Sequence, residues 1–433
     1  MASAGMSALI IFGLFFVFVF LTIPIGVSVG LSLFIYYVTY STQALSTIGP
    51  WLLSALDSFP LMAIPYFILA GALMEGGGLS KRLCAVADAF VGWLPGGIGI
   101  VTIVSCAFFG AISGSAPATV AAIGVVMLPA MLEAGYDKLY STALIAASGC
   151  LGTIVPPSIP MVVFGTSTDT SVGTLFMAGF GPALVFSGCL IVLNEIVCIR
   201  SGWKGNGKGL HLKAILLSLK DGIWALLVPV IILGGIYGGF FTPTEAAVVA
   251  DVYGLLAGIL IYRELNIKKV YKCLVDSAVT NGNIMLPCCT GTVLAKVISL
   301  VKVPDMVVHG LTNLSDNGIV VLLIINGILL IVGMLMDTIA AIIVLAPILT
   351  PVAVNFGWNP VHFGLIMVVN LSIGFITPPV GVNLFVASGM ADVPFVDLAK
   401  KIVPFILILL IALLVVTYCE PLVMTIPNLM NGG

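Results

Sequence analysis

The sequence predicts an all-α polytopic membrane protein built from two inverted repeats, each containing a re-entrant helical hairpin and a broken helix. Of the 433 residues, 60% are hydrophobic and only 8% are charged, whereas roughly 25% of the residues of a soluble domain are charged. Apolar runs of about 20 residues, the length needed to cross a bilayer, follow one another along the chain. The glycines and prolines that interrupt these runs occur twice, in one register.

The second copy lies 222 residues after the first, as the pair Pro65 and Pro287 shows. The other pairs in this register are Pro129 and Pro351, Gly135 and Gly357, Tyr136 and Trp358, Gly152 and Gly374, Pro156-Pro157 and Pro378-Pro379, and Pro182 and Pro404. So many punctuating residues at one spacing predict an internal repeat. Paired hydrophobic segments that are interrupted by Gly and Pro point to the binding site of a secondary transporter.

Taken in order, the chain divides into a scaffold, two repeats and a tail. The predicted segments are an N-terminal scaffold span in 1–60, running over 8–38 with a bend at Pro24; repeat 1 in 61–199, with a hairpin over 97–132 and a broken helix over 139–168; a cytoplasmic linker and scaffold spans in 200–276; repeat 2 in 277–421, with a hairpin over 318–354 and a broken helix over 361–390; and a C-terminal tail in 422–433. The remaining spans are predicted near 58–77, 173–199, 222–240, 243–262, 277–300 and 402–421.

The two hairpin segments are each too long for one span and carry small or polar residues at their middles, Ser113–Thr119 and Met336–Thr338. Each is interpreted as a helix that enters the membrane, turns and leaves on the same side, a course tolerated only where the turn lines a cavity or is buried in protein. The alternative is two ordinary short helices with a tight loop. The segments before the hairpins, Ser80–Leu94 and Pro304–Asn317, are interfacial helices or plain loops.

Basic residues predict the orientation. Nine of the sixteen Lys and Arg lie between Arg200 and Lys272, flanking the spans 222–240 and 243–262, and are therefore cytoplasmic. Counting spans outward places Lys81-Arg82, Lys138 and Lys400-Lys401 inside and Pro304–Asn317 outside. The two repeats then have opposite topology, with one hairpin entering from each side.

Asp337 is the only Asp, Glu, Lys or Arg between Asn317 and Ala391. A lone carboxylate in so apolar a segment marks an ion or substrate pathway. About 40 residues later, two prolines and two glycines within Gly374–Asn383 should break the helix and free several backbone carbonyls.

Hydroxyl and free carbonyl oxygens without net charge suit Na⁺ better than a divalent ion, which would require several carboxylates. The candidate Na⁺ ligands are Ser113, Ser115, Gly152 and Pro156 in the first copy, and Asp337, Thr338, Gly374, Thr377 and Pro378 in the second. Helix N-termini at the breaks would attract an anion held between the two sites. The candidate anion contacts are Ser115, Ala116, Pro117, Thr119, Pro157, Pro379 and Asn383. The alternative is that these hydroxyls satisfy carbonyls one turn back and that the prolines only kink their helices.

Other functions fit the residues less well. An intramembrane aspartyl protease needs two carboxylates that share a proton, and Asp251, the only candidate partner for Asp337, has an unsuitable context; it faces another subunit or a fixed scaffold instead. A serine enzyme would need a His or Lys near Ser113 or Ser115, and none is near in sequence. The sequence shows no continuous polar lining of the kind that a channel needs, and no basic tract of the kind that binds nucleic acid. The chain is therefore predicted to be a carrier and not an enzyme.

Five motifs resemble the large membrane subunit of TRAP (tripartite ATP-independent periplasmic) transporters. They are GAISGSAPAT (110–119), VPP (155–157), TPTEAAVVA (242–250), GMLMDTIAAIIVLAPILTPV (333–352) and NLSIGFITPPVGVNLFVASG (370–389). The resemblance implies an elevator-type importer in the lipid of the bacterial inner membrane, driven by two or more Na⁺, and a fold similar to divalent-anion/sodium symporters. It also implies a small four-helix membrane subunit as a separate chain, a periplasmic binding protein, and an organic acid substrate of the C4-dicarboxylate or sialic acid type. The rival within this class is a stand-alone anion/Na⁺ symporter without a receptor.

Overall fold

The computed structural model describes residues 4–430 except 42, 204–208, 210 and 316. Part of the predicted linker and the end of the predicted tail, 431–433, therefore lie outside the described residues. Eight of the described helices are long and apolar enough to cross a membrane, or up to eleven if each strongly bent pair is one span. The prediction of an all-α polytopic membrane protein is confirmed.

The first repeat and the helices before it run from α1 to α11. The helices are α1 (Ala4–Phe20), α2 (Ile25–Thr39), α3 (Ile48–Leu56), α4 (Ala63–Gly76), α5 (Leu79–Val91), α6 (Gly97–Ser113), α7 (Ala116–Glu133), α8 (Lys138–Gly149), α9 (Leu151–Ile154), α10 (Ile159–Thr168) and α11 (Val172–Ser201). The predicted hairpin is α6 and α7, and the predicted broken helix is α8 to α10. The segment before the hairpin is a helix, α5, and not a plain loop.

The second half repeats this order. The helices are α12 (Leu212–Tyr237), α13 (Pro243–Leu256), α14 (Ile267–Leu300), α15 (Val303–Leu314), α16 (Gly318–Leu335), α17 (Thr338–Asn355), α18 (Pro360–Gly374), α19 (Val382–Ala391), α20 (Phe395–Lys401), α21 (Val403–Tyr418) and α22 (Glu420–Met430). Helix α17 begins and ends 222 residues after α7. The internal repeat predicted from the prolines and glycines is therefore confirmed at the level of helices.

The equivalent helices α4 and α14 of the two repeats run in opposite directions. The C-terminal end of α4 lies beside the N-terminal part of its counterpart α14, where Cys273 Sγ donates to the carbonyl of Ala72 at 3.4 Å. On the same end of the molecule, Arg82 of α5 pairs with Glu264 at 2.7 Å. The relation between the repeats is thus inverted, and Arg82 lies with the basic cluster around Lys269, as the charge distribution predicts.

The predicted single bent span over 8–38 is wrong. Helices α1 and α2 form a hairpin, in which the Tyr36 hydroxyl near the end of α2 donates to Ser7 near the start of α1 at 3.1 Å. The chain reverses because Thr22 adopts a left-handed conformation (φ 61°) and Pro24 follows with no amide hydrogen to continue a helix. This hairpin precedes α3 and α4 as the α12–α13 hairpin precedes α14.

Candidate functional site

The first hairpin turns within a few residues. Helix α6 ends at Gly114 in a left-handed conformation (φ 61°), and Ser115 is extended before α7 begins, with Pro117 in its first turn. Ser113 Oγ lies 3.1 Å from Thr119 Oγ1, which donates to the carbonyl of Ser115 at 2.8 Å. Three oxygens predicted to bind a cation or an anion are therefore grouped at one turn.

The break of the first helix meets this tip through two glycines. A β-carbon on Gly152 would collide with Thr119 Oγ1 and would lie 2.5 Å from the carbonyl oxygen of Ser115, and one on Gly110 would lie 2.8 Å from Cα of Gly152. The absence of side chains at these positions lets the hairpin tip touch the break. The structure thus brings together Ser113, Ser115, Thr119 and Gly152, as the sequence predicts.

The second hairpin turns at Met336, and Asp337 caps α17 by accepting a hydrogen bond from the amide of Ile339 at 2.9 Å. Asp337 is exposed to the cavity described below. Thr338, by contrast, is buried, and its hydroxyl donates to the carbonyl of Leu371 at 3.3 Å. The carboxylate is therefore the part of this tip that a cation in the cavity would meet.

The second break lies between α18 and α19 and touches the second tip. Gly374 packs so closely on Gly333 of α16 that a β-carbon there would collide with the Gly333 carbonyl. The amide of Val380 donates to the carbonyl of Met334 at 3.4 Å. Pro378-Pro379, like Pro156-Pro157 in the first break, is a cis peptide bond. Both copies therefore place a hairpin tip against an interrupted helix.

A cavity of about 700 Å³ lies between the two tips. The predicted site residues that line it are Ser113, Ser115, Ala116, Pro117 and Asp337. The N-termini of α7, α10 and α17 also reach it, through Ala116, Ile159 and Ile339. Since a helix N-terminus carries a partial positive charge, these three helix ends favour an anion.

The other predicted site residues lie outside the cavity lining. They are Thr119, Gly152, Pro156, Pro157, Thr338, Gly374, Thr377, Pro378, Pro379 and Asn383. Asn383 is fully buried, and its side-chain amide donates across the repeat boundary to the carbonyl of Ala146 at 3.1 Å. In this conformation the residue joins α19 to α8 and does not face the cavity.

Two acidic side chains in the cavity wall were not predicted. Glu75 of α4 and Asp276 of α14 line it together with Asp337, near the end of the molecule that carries Arg82 and Glu264. Among the described lining residues none is Lys, Arg or His. A signal for Glu75 existed, because it is the only charged residue of the predicted span 58–77.

Comparisons with known proteins identify the family of this chain. Residues 12–422 match the family described as the tripartite ATP-independent periplasmic transporter, DctM component. A C4-dicarboxylate TRAP transporter large permease protein of Pseudomonas aeruginosa is 38% identical over 93% of this chain and 94% of its own length. The sialic acid TRAP transporter large permease protein of Vibrio cholerae is 34% identical over 95% and 96%. These relatives are permease subunits and not enzymes.

A third relative, the isethionate TRAP transporter permease protein DctMQ of Oleidesulfovibrio alaskensis, is 44% identical over 94% of this chain, which spans 64% of that protein. Among solved structures, the YdaH transporter of Alcanivorax borkumensis shares the fold with a TM-score of 0.65 at 14% identity, covering 88% of this chain and 91% of that one. MtrF of Neisseria gonorrhoeae has a TM-score of 0.61 at 16% identity, covering 86% and 83%.

Proposed function

Because the chain belongs to the family of the DctM component of tripartite ATP-independent periplasmic transporters, we propose that it carries an organic acid anion inward together with Na⁺. The observation that carries this proposal is that each repeat places a hairpin tip against a helix break, and that both tips line one cavity. Such interrupted helices at the interface of inverted repeats hold substrate and coupling ions in secondary transporters.

Na⁺ is proposed as a co-transported ion at two or more positions. At the first tip, the hydroxyls of Ser113 and Thr119 and the carbonyl of Ser115 lie within hydrogen-bonding distance of one another. They form a compact set of neutral oxygens of the kind that accommodates a monovalent cation. At the second tip, Asp337 adds a negative charge, and the hydroxyl of Thr338 and the carbonyls of the second break are the further candidate ligands.

The anion would lie between the tips, near Ser115 to Pro117. Its charge has no basic partner among the described lining residues, so helix N-termini and co-bound Na⁺ must offset it. Anion binding would then depend on Na⁺ binding, without a contact between the anion and a basic side chain of the protein. The relatives are named for isethionate, C4-dicarboxylates and sialic acid, which share an anionic head group.

We propose an elevator movement of the hairpins and broken helices against a scaffold formed by α1–α2 and α12–α13. Bound Na⁺ neutralises Asp337, and the loaded domain can then cross apolar surroundings that the empty, charged domain resists. A separate small four-helix membrane subunit and a periplasmic binding protein that delivers the anion complete the proposed transporter, in a bacterial inner membrane.

The test is uptake of labelled isethionate, succinate and sialic acid into liposomes that contain this chain, with and without an inward Na⁺ gradient. Each measurement is repeated with and without the small subunit and the binding protein. Uptake that requires Na⁺ and both partners supports the proposal. Uptake by this chain alone would identify a stand-alone symporter, and uptake indifferent to Na⁺ would overturn the coupling.

A further inference from the structure

Arg82, near the start of α5, is held by groups from another part of the chain. Its Nη1 donates to Glu264 Oε1 at 2.7 Å and to the carbonyl of Gly78 at 2.9 Å. Its Nε lies 3.6 Å from Asp221 Oδ2, and the guanidinium carbon lies 3.8 Å from the ring centre of Tyr262. Asp221 belongs to α12, and Tyr262 and Glu264 follow α13, so one side chain joins α5 to the α12–α13 hairpin.

The backbone around this cluster, which we call the Arg82 cluster, is packed too closely for larger residues. Gly78 is left-handed (φ 75°), and a β-carbon on it would collide with the carboxylate of Glu264. A β-carbon on Gly77 would lie 3.3 Å from Cα of Gly258. The side chain of Arg82 is only 18% exposed. The elbow between α4 and α5 is therefore clamped against the end of α13.

The other end of α5 leads to a different group of helices. Asn194 of α11 is fully buried; its amide donates to the carbonyl of Gly96 at 3.0 Å, and its Oδ1 accepts from the Tyr140 hydroxyl at 3.1 Å. This ties the start of the first hairpin to α8 and α11. Between the two attachments lie residues 92–95, which are followed by Gly96 in a left-handed conformation (φ 68°).

We propose that Arg82 is a positioning residue that fixes α5 to the α12–α13 scaffold, so that movement of the first hairpin is taken up at residues 92–95. The inference rests on the proposed function, which requires the hairpin to move. Arginine is needed because a lysine cannot combine a planar hydrogen-bonding fork with stacking on Tyr262. The equivalent position in the second repeat is Pro304, so α15 lacks this anchor and the helices α5 and α15 are not equivalent.

The experiment compares Arg82→Gln and Arg82→Lys with Lys81→Gln, a matched change at the exposed neighbouring residue, in the full transporter. Amide hydrogen exchange in lipid nanodiscs should increase over residues 77–91 in Arg82→Gln and remain unchanged in α7 and α11. The maximal rate of Na⁺-driven uptake should fall about tenfold, because charged hydrogen bonds of the anchor are lost, while the half-saturating Na⁺ and anion concentrations stay constant. Arg82→Lys should resemble Arg82→Gln, and Lys81→Gln should resemble the wild type.

Unchanged exchange over 77–91 in Arg82→Gln would overturn the inference. So would a loss of uptake caused by weaker Na⁺ binding at an unchanged maximal rate, since Arg82 would then act on the binding site. If Arg82→Gln does not assemble, Glu264→Gln removes one acceptor and leaves Arg82 in place. Exchange over residues 77–91 and the maximal rate of uptake in Glu264→Gln then test the inference in the same way. A wild-type protein without Na⁺-driven uptake would refute the proposed function, whereas the exchange measurement would still decide whether Arg82 holds α5.

Discussion

The hydroxyl groups of Thr153 and Ser372 lie 2.7 Å apart and join the broken helix of one repeat to that of the other. Both residues are buried. Beside them, Cys150 Sγ donates to the carbonyl of Ser372 at 3.1 Å, and Cys150 and Ser372 occupy equivalent positions of the two repeats. The two broken helices, each of which has a proposed Na⁺ site at its break, are therefore in direct contact.

Thr153→Val should weaken the coupling between the sites. Valine keeps the shape of threonine and removes the hydroxyl contacts with Ser372 and with the carbonyl of Cys150, while the Ser372 hydroxyl still donates to the carbonyl of Val368. We expect a loss of about 1 kcal/mol in stability and a lower Hill coefficient for Na⁺ in uptake, since the coupling passes through contiguous contacts. Thr292→Val, which loses only a bond to Cys288 within α14, is the control. An unchanged Hill coefficient in Thr153→Val would show that this bond does not couple the sites.

Asp337→Asn should weaken Na⁺ binding and leave the fold intact. Asparagine caps a helix as well as aspartate, so α17 should keep its start while the cavity loses a negative charge. We expect the half-saturating Na⁺ concentration to rise by at least about tenfold, because a charge-assisted contact to the ion is lost. Asp305→Asn, in the first turn of α15, is the matched control. Normal Na⁺ dependence in Asp337→Asn would remove Asp337 from the proposed site.

Gly152→Ala should separate the first tip from its break. The added methyl group would collide with Thr119 Oγ1 and the Ser115 carbonyl, and overpacking of this kind costs about 1–3 kcal/mol. Uptake should be lost, and the thermal unfolding temperature should fall. Gly188→Ala in α11 is the control, because a β-carbon there meets nothing within 4 Å. If both variants transport normally, the close contact at Gly152 is dispensable.

The sequence predicted those parts of the fold and site that depend on local chemistry. Proline and glycine act on their own segment of backbone, so the breaks at Pro156 and Pro378 and the turns at Ser115 and Asp337 could be located from their residues. The α1–α2 hairpin could not, because residues 8–38 form one uncharged apolar run, in which Pro24 predicts a bend but does not distinguish a bend from a full reversal.

The direction of a buried side chain could not be predicted from the sequence either. Asn383 follows the second break, as predicted, but the rotation of α19 is determined by its packing on α8, which turns the amide towards Ala146. Likewise, Glu75 and Asp276 are far apart in the chain. Only the antiparallel packing of α4 on α14 brings both acids to one cavity wall.

Neutralising both wall acids should change ion binding at the end of the cavity nearest the Arg82 cluster, which is the predicted cytoplasmic end. Glu75 and Asp276 repel an anion that approaches from the side of the Arg82 cluster and attract Na⁺. In Glu75→Gln/Asp276→Asn, the half-saturating concentration of anion for efflux from preloaded liposomes should fall about threefold at low ionic strength, and the difference should shrink in high salt because exposed charges are screened.

The matched control for this pair is Asp88→Asn, a change on α5 outside the cavity lining. For uptake from the outer side, the half-saturating anion concentration should be the same in the wild type, the double variant and Asp88→Asn, because the anion then approaches the opposite end of the cavity. A salt-independent change, or an equal change for both directions, would mean that the two acids act on the binding site itself and not on the approach to it.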